Sequence, residues 1–140
     1  MTQADAADVV VVRSLRELGE VVAMVGRAYV RFSAGPEGDA AEVSVDKESG
    51  ITLPGLSVNP LNPEPWWDRP LEHWLARQLC QYLHLGERDR CGWVVTGTVV
   101  GRGPDSEPLV ADVRFVAVLD DAVLAEARRV YQEVFDPGRV

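Results

Sequence analysis

The chain has one lysine, Lys47, two cysteines and two histidines among its 140 residues, and no long apolar run. Each shortage excludes something. Lys and Arg together number 14 against 22 Asp and Glu, for a net charge of −8. The basic residues form no cluster in sequence, so nucleic acid is repelled at long range and is not an expected partner. Cys80 and Cys91 cannot make a zinc site alone, and only His73 and His84 are available to help. Both read as free thiols, and no metal or cofactor is expected. The longest apolar runs fall far short of the roughly 18 residues that a membrane span needs. The start, Met1 to Asp8, lacks the basic and apolar regions of a secretion signal. These observations predict a cytoplasmic protein that does not touch membrane.

What is present is ordinary for a globular chain: 46% hydrophobic and 26% charged residues. The length suits one hydrophobic core. Residues 1–8 are small and polar and are expected to be disordered, with a single domain over residues 9–137. The excess of Arg over Lys, with abundant Ala, Val and Gly, has the look of a GC-rich coding sequence and carries no chemistry.

One stretch stands out. Residues 53–71 hold five of the nine prolines and two of the four tryptophans. Proline lacks an N–H and restricts the residue before it, so this density is incompatible with a helix or a central strand. Leu56, Val58, Leu61, Trp66 and Trp67 are more apolar surface than a tether requires. The stretch reads as an ordered, irregular wall against the core.

Around it the periodicities predict an α+β domain: a largely antiparallel or mixed sheet of about five strands with three amphipathic helices. Residues 9–12, four valines, read as a short buried strand. Ser14 with Glu17 forms a capping box for a helix over residues 15–25, with Leu15, Leu18, Val22 and Val25 on one stripe and Gly26 as its stop. Residues 28–33 form a strand with Tyr29, Arg31 and Ser33 on one face. Residues 34–40 read as a loop, 42–46 as a weak strand and 47–50 as a turn, with 51–53 able to pair. A central helix opens at Asp68 or Pro70, presents Leu71, Trp74, Leu75, Leu79, Tyr82 and Leu83, and stops at Gly86 before a solvated turn. Residues 92–100 suit a strand buried on both faces. Residues 112–119 alternate Val113, Phe115, Ala117 and Leu119 against Arg114, Val116 and Val118, and pair with it as a hairpin across loop 101–108. Asp120 or Asp121 caps a last helix with Leu124, Ala127, Tyr131 and Val134 inward, ended at Asp136. Trp74 and Trp93 belong to the core.

Several residues are candidates for function. Ser57 lies in Gly-Leu-Ser-Val-Asn, which lacks the second glycine of a nucleophile elbow. His73 and Arg77 are one turn apart on the central helix, with Gln81 beyond, a polar row suited either to an anion or to solvent. Loop 101–108 precedes a strand, so it offers no helix N-terminus to a phosphate. It still gathers Arg102, Asp105 and Glu107 in more residues than a hairpin needs. Arg31, if covered, needs an anion, from Glu107, Asp105 or a ligand. Of the adjacent Trp66 and Trp67, one is expected inward and the other free for contact.

Gly55-Leu-Ser-Val-Asn-Pro-Leu, Pro65-Trp-Trp, residues 74–85 and residues 101–110 resemble a family of short actinobacterial proteins of unknown function. The likeness covers most of residues 10–137 and implies a bacterial cytoplasmic protein without assigning an activity. A second likeness is one of order: Arg31 on a strand, Ser57 after a glycine and Glu107 in a loop resemble the Arg-Ser-Glu order of ADP-ribosyltransferases. That resemblance implies arginine and serine holding NAD and a glutamate orienting the acceptor, without the family's surrounding Ser-Thr-Ser or Glu-x-Glu contexts.

Two readings follow. The first is a non-enzymatic binding or accessory protein, contacting a protein partner, a small-molecule ligand or a second copy of itself through segment 53–70 and loop 101–108, with Asn59, Trp66, Trp67, His73, Arg77, Arg102 and Asp105 as contact residues. The second is an NAD-using enzyme with Arg31, Ser57 and Glu107 as catalytic residues in one cleft.

Overall fold

Two β-strands and a short proline-rich crossing set the shape of the molecule. The computed structural model describes residues 9–41, 48–81 and 91–135. In chain order the elements are β1 (Val10–Val12), α1 (Leu15–Val25), β2 (Tyr29–Ser33), α2 (Pro36–Ala41), β3 (Leu56–Ser57), β4 (Asn59–Pro60), α3 (Leu71–Gln81), β5 (Cys91–Arg102), β6 (Pro108–Leu119) and α4 (Asp121–Phe135). The sheet runs β1-β6-β5-β2-β4, with β3 also on β6. β1 is parallel to β6 and the remaining pairs are antiparallel. This is the α+β domain with a mixed sheet that the periodicities predict, with six strands and three long helices among the described residues.

The crossing from β3 to β4 dictates curvature. β3 pairs with the outer edge of β6 and β4 with the outer edge of β2, and only Val58 separates them. In a flat sheet those two lanes lie four strand spacings apart, about 19 Å. Two residues of chain reach only ~7 Å. The sheet therefore curls, and residues 56–60 lace its two margins together across the inner face.

Each face of the curled sheet has its own core. On the outer face Val12, Val30, Phe32, Val94, Ala117 and Leu119 pack against Leu15, Leu18, Val21 and Val22 of α1, Trp74, Leu75 and Leu79 of α3, and Val123 and Ala127 of α4. On the inner face Tyr29, Val58, Val95 and Val110 form a smaller cluster, lined by Leu56, Trp93, Val113 and Phe115.

Helix ends follow sequence closely. Glu17 N donates to Ser14 Oγ at 3.1 Å, and Glu17 Oε1 accepts in return from Arg13 N at 2.7 Å. Leu15 N is also capped by Glu126 of α4 at 2.7 Å, a long-range cap with no local signal. Gly26 closes α1 at φ 87°. Asp120 caps α4, its Oδ1 accepting from Ala122 N and Val123 N.

Several expectations need correction. Residues 34–40 are not all loop, because Pro36 opens a short helix and Asp39 N bonds back to Gly35 O at 2.9 Å. β1 is an edge strand with Val10 and Val11 exposed, because nothing pairs on its far side among the described residues. The proline-rich stretch does enter the sheet, Pro60 pairing with Tyr29 at the margin where its missing N–H is tolerated. β5 is buried on both faces only at its start, since Val99 and Val100 run past the helices and are about half exposed. Trp93 belongs to the inner cluster and is only partly covered.

The alternation along β6 also breaks. Its register slips between Val94 and Val95 of β5, leaving Val116 as a bulge, and slips again beside Asp112, whose φ is 54°. The first slip puts Ala117 and Leu119 on the outer face but Val113 and Phe115 on the inner one. On α4 the buried residues are Val123 and Ala127, with Leu124 and Val130 partly covered, so the inward stripe is rotated from the expected one. Thr52 makes only an isolated bridge. The expected strand at 42–46, Tyr82, Leu83, the stop at Gly86, the stop at Asp136 and residues 1–8 lie outside the described residues.

Candidate functional site

Two features of the inner face draw on the residues singled out in the sequence: a buried polar network and an open groove. The network starts from Arg31. β2 directs it inward beside Ser33, and α2 brings up Asp39. Arg31 Nε and Nη2 donate to the two oxygens of Asp39, each at 3.0 Å, and Nη1 donates to Ser57 O at 2.8 Å. The side chains of Arg31 and Asp39 are 15% and 3% exposed. Ser33 Oγ donates to Asp39 Oδ2 at 2.7 Å and accepts from Gly35 N at 3.2 Å. Gly35 turns the chain at φ 116°, with the Trp93 ring 3.0 Å from where a Cβ would sit. A side chain fits neither that angle nor that space.

The anion that Arg31 requires is therefore Asp39, and not Glu107, Asp105 or a ligand. Glycine and proline give residues 34–40 the composition of a loop, which conceals Asp39 in the sequence. The available signal was Pro36 with Glu37 and Asp39 in the following turn, a pattern that favours a helix start.

Ser57 and Glu107 lie at the next step of the same chain of bonds. Ser57 Oγ donates to Glu107 Oε2 at 2.7 Å, while Glu107 Oε1 accepts from Asp105 N at 2.9 Å. Arg31, Ser57 and Glu107 are thus brought together, but as a clasp: the guanidinium is engaged by a buried carboxylate, and the glutamate shapes its own loop. The connection between β5 and β6 is residues 103–107, shorter than the expected 101–108, because Arg102 and Pro108 already pair. Gly103 N to Glu107 O at 2.8 Å, Ser106 N to Gly103 O at 3.0 Å and Arg102 Nη1 to Ser106 O at 3.2 Å hold it. Asp105 is exposed at its tip.

The groove, of about 690 Å³, opens between the proline-rich stretch and the far end of the hairpin. Pro60, Asn62, Pro63, Glu64 and Pro65 form one wall, Val99, Arg102 and Pro108 the other, and Gly26, Arg27 and Tyr29 close it. The first wall is firmly placed. Asn62 Oδ1 accepts from Ala28 N at 2.7 Å and its Nδ2 donates to Gly26 O at 2.6 Å. Leu61 N bonds Ala28 O at 2.9 Å, and Gln78 Nε2 reaches Pro60 O at 2.8 Å from α3. Arg27 and Arg102 face the space, with Glu64 as the only acid lining it among the described residues. Of the predicted contact residues, only Arg102 lines this groove. Arg27, Asn62 and Glu64 were not anticipated, since nothing local marks a residue whose importance comes from the opposite wall.

The remaining candidates lie elsewhere. Asn59 sits in β4, paired with Val30. Trp66 is 66% exposed, whereas Trp67 is half-buried, its Nε1 donating to Pro70 O at 3.2 Å. The two meet Trp74 edge to face, with centroids 5.9 and 5.1 Å from it, and Phe135 of α4 lies beyond Trp67. Arg77 lies over the Trp74 ring at 5.0 Å and donates to Gln78 at 3.2 Å. His73 Nδ1 and Trp74 Nε1 are buried and have no hydrogen-bond partner among the described residues. The row of His73, Arg77 and Gln81 therefore does not converge: Arg77 stacks on Trp74, and Gln81 is exposed. His84 lies outside the described residues. Among the described residues no group of three His, Cys, Asp or Glu side chains is arranged to hold a metal ion. No described helix is long and apolar enough to cross a membrane.

A family model, DUF6098, described as a family of unknown function, matches residues 5–139. The chain belongs to this family. No curated protein and no solved structure matches it. The family supplies no activity, so chemical assignment rests on the two inner-face features.

Proposed function

We propose that this chain is a binding or accessory protein whose recognition site is the groove between residues 60–65 and the far end of the β5–β6 hairpin. The observation that carries the reading is the pair Arg27 and Arg102 facing one open space on a chain of net charge −8. Two guanidinium groups concentrated against the overall charge select an anionic group on a protein partner or small molecule. The exposed Trp66 adds an aromatic contact next to the same stretch, where a partner or second copy gains the most from burial. A cytoplasmic setting in an actinobacterium is part of this reading, supported by the acidic, span-free composition and by the family resemblance.

The NAD-using alternative needs a guanidinium open to pyrophosphate. Arg31 is instead engaged by the Asp39 carboxylate and by Ser57 O through three of its five N–H donors, which favours binding over catalysis. The test is an amide-shift titration of the labelled protein with citrate, glutamate, inorganic phosphate and NAD. Shifts are expected around Arg27, Asn62 and Arg102 and are lost in Arg102→Glu. Shifts confined to Arg31, Ser57 and Glu107, with NAD consumption abolished by Glu107→Ala, overturn the reading.

A further inference from the structure

The groove has a property beyond its charge. β2 pairs with β5 from Ser33↔Cys91 to Tyr29↔Val95, and there its ladder stops, because the chain before Tyr29 turns away at Gly26. β5 continues to Arg102, paired on its other side with β6. Among the described residues, nothing pairs with residues 96–102 on the side that β2 has left. That lane is roughly 20 Å long at ~3.3 Å per residue, and Val99 and Val100 on it are 44% and 45% exposed. An exposed strand edge of this length carries unpaired N–H and C=O groups and templates a further strand.

The groove lies along this vacated lane. Val99 and Arg102 of β5 form one side, Tyr29 marks the end of β2, and Pro60 to Pro65 form the other side. The proline-rich wall has few N–H groups to offer because proline has none, so an incoming strand finds its hydrogen bonds on β5. Pinned by Asn62 and Gln78, that wall is a rigid boundary and does not compete for the edge. Two guanidinium groups, Arg27 and Arg102, against the one carboxylate of Glu64 then determine the sign of the occupant.

We infer that the groove receives an extended acidic peptide segment, added as a strand to the free edge of β5 with its carboxylates on Arg27 and Arg102. The inference rests on the groove being the binding site and names the class of its occupant. Main-chain bonds to residues 96–102 supply affinity, and the two arginines supply selection by charge. The core is not at stake: Arg27 and Arg102 are exposed, neither makes an ion pair among the described residues, and the bond from Arg102 to Ser106 O lies within its own exposed hairpin turn.

The experiment uses fluorescein-labelled acetyl-(Glu-Val)3-amide, its (Lys-Val)3 counterpart, and the acidic peptide N-methylated at alternate residues. Binding to the full chain is followed by anisotropy, and amide exchange is followed by NMR. The acidic peptide is expected to bind and to slow exchange in residues 96–102. The lysine and N-methylated peptides should each bind at least about tenfold more weakly, and Arg102→Glu or Arg27→Glu should cost about tenfold, the size of one charge-assisted hydrogen bond. An N-methylated peptide that binds as well as its parent, or binding without protection of residues 96–102, overturns strand addition. A loss in Arg102→Glu would in that case still uphold the groove as a binding site. An acidic peptide that does not bind also overturns the inference, and the groove reading then depends on the small-anion titration alone.

Discussion

The two faces of the curled sheet are held by different physics. The outer face is a broad apolar core filled by three helices, with Leu15, Leu18, Leu75, Leu79, Val12 and Val94 all fully buried. Its stability scales with area, and many substitutions of similar volume would preserve it. The inner face buries four residues of that kind and depends on specific bonds: Arg31 to Asp39, Asp39 to Ser33, Ser57 to Glu107, and the lacing of β3 and β4. The first kind of core is robust to detail. The second is exacting, and the groove is built on it.

The sharpest way to test that contrast is Asp39→Ala. It leaves the Arg31 guanidinium nearly buried without its carboxylate, a change that costs on the order of 3–5 kcal/mol. Denaturant unfolding should show this, and the double variant Arg31→Met/Asp39→Ala should recover at least half of the loss, because no charge is then stranded. If the double variant is no more stable than the single, the pair is not the clasp described. On the outer face Leu75→Ala should cost about 3 kcal/mol through lost burial and a residual cavity, while leaving peptide binding at the groove unchanged.

Gly55→Ala should have a smaller but more local effect, about 1–3 kcal/mol. A Cβ there would sit 2.7 Å from Val110 O, backbone that cannot easily yield. Amide exchange should rise at Leu56 and Ser57 before it rises in α3. An unchanged pattern would show that the lacing of the inner face tolerates slack. The smallest effect separates the two thiols. Cys91 is exposed at the start of β5, whereas Cys80 lies against the outer core, where burial raises its thiol pKa and nearby Arg128 only partly offsets this. Because the thiolate is the reactive form, iodoacetamide near neutral pH should label Cys91 first. Labelling of Cys80 should gain on it as the pH rises through the raised pKa. Equal rates at pH 7 would contradict the burial difference.

The helices were legible because each carries its own signals. Ser14 with Glu17, the 3-4-3 spacing of Leu15, Leu18 and Val22, and Pro70 ahead of Leu71 are all local. β2 was legible from its alternation. The inner face was not, for an identifiable reason: its determinants are meetings between residues far apart in sequence. Asp39 was hidden in an apparent loop, and its role requires β2 to lie eight residues back and facing it. The bulge at Val116 moves Phe115 and Val113 to the opposite face from Ala117 without leaving a mark in the apolar pattern. Arg27 and Glu64 gain meaning only from the hairpin opposite them.

The proline-rich stretch divides the two kinds of information most clearly. Its composition alone determined that it is ordered, holds no helix or central strand and is anchored by Leu56, Val58 and Leu61, because proline fixes φ locally and apolar side chains seek burial wherever they are placed. Only the tertiary structure decided that it laces the two margins of a curled sheet and walls a groove. Strand pairing is a contract between distant segments, and no residue in either segment specifies its partner by itself.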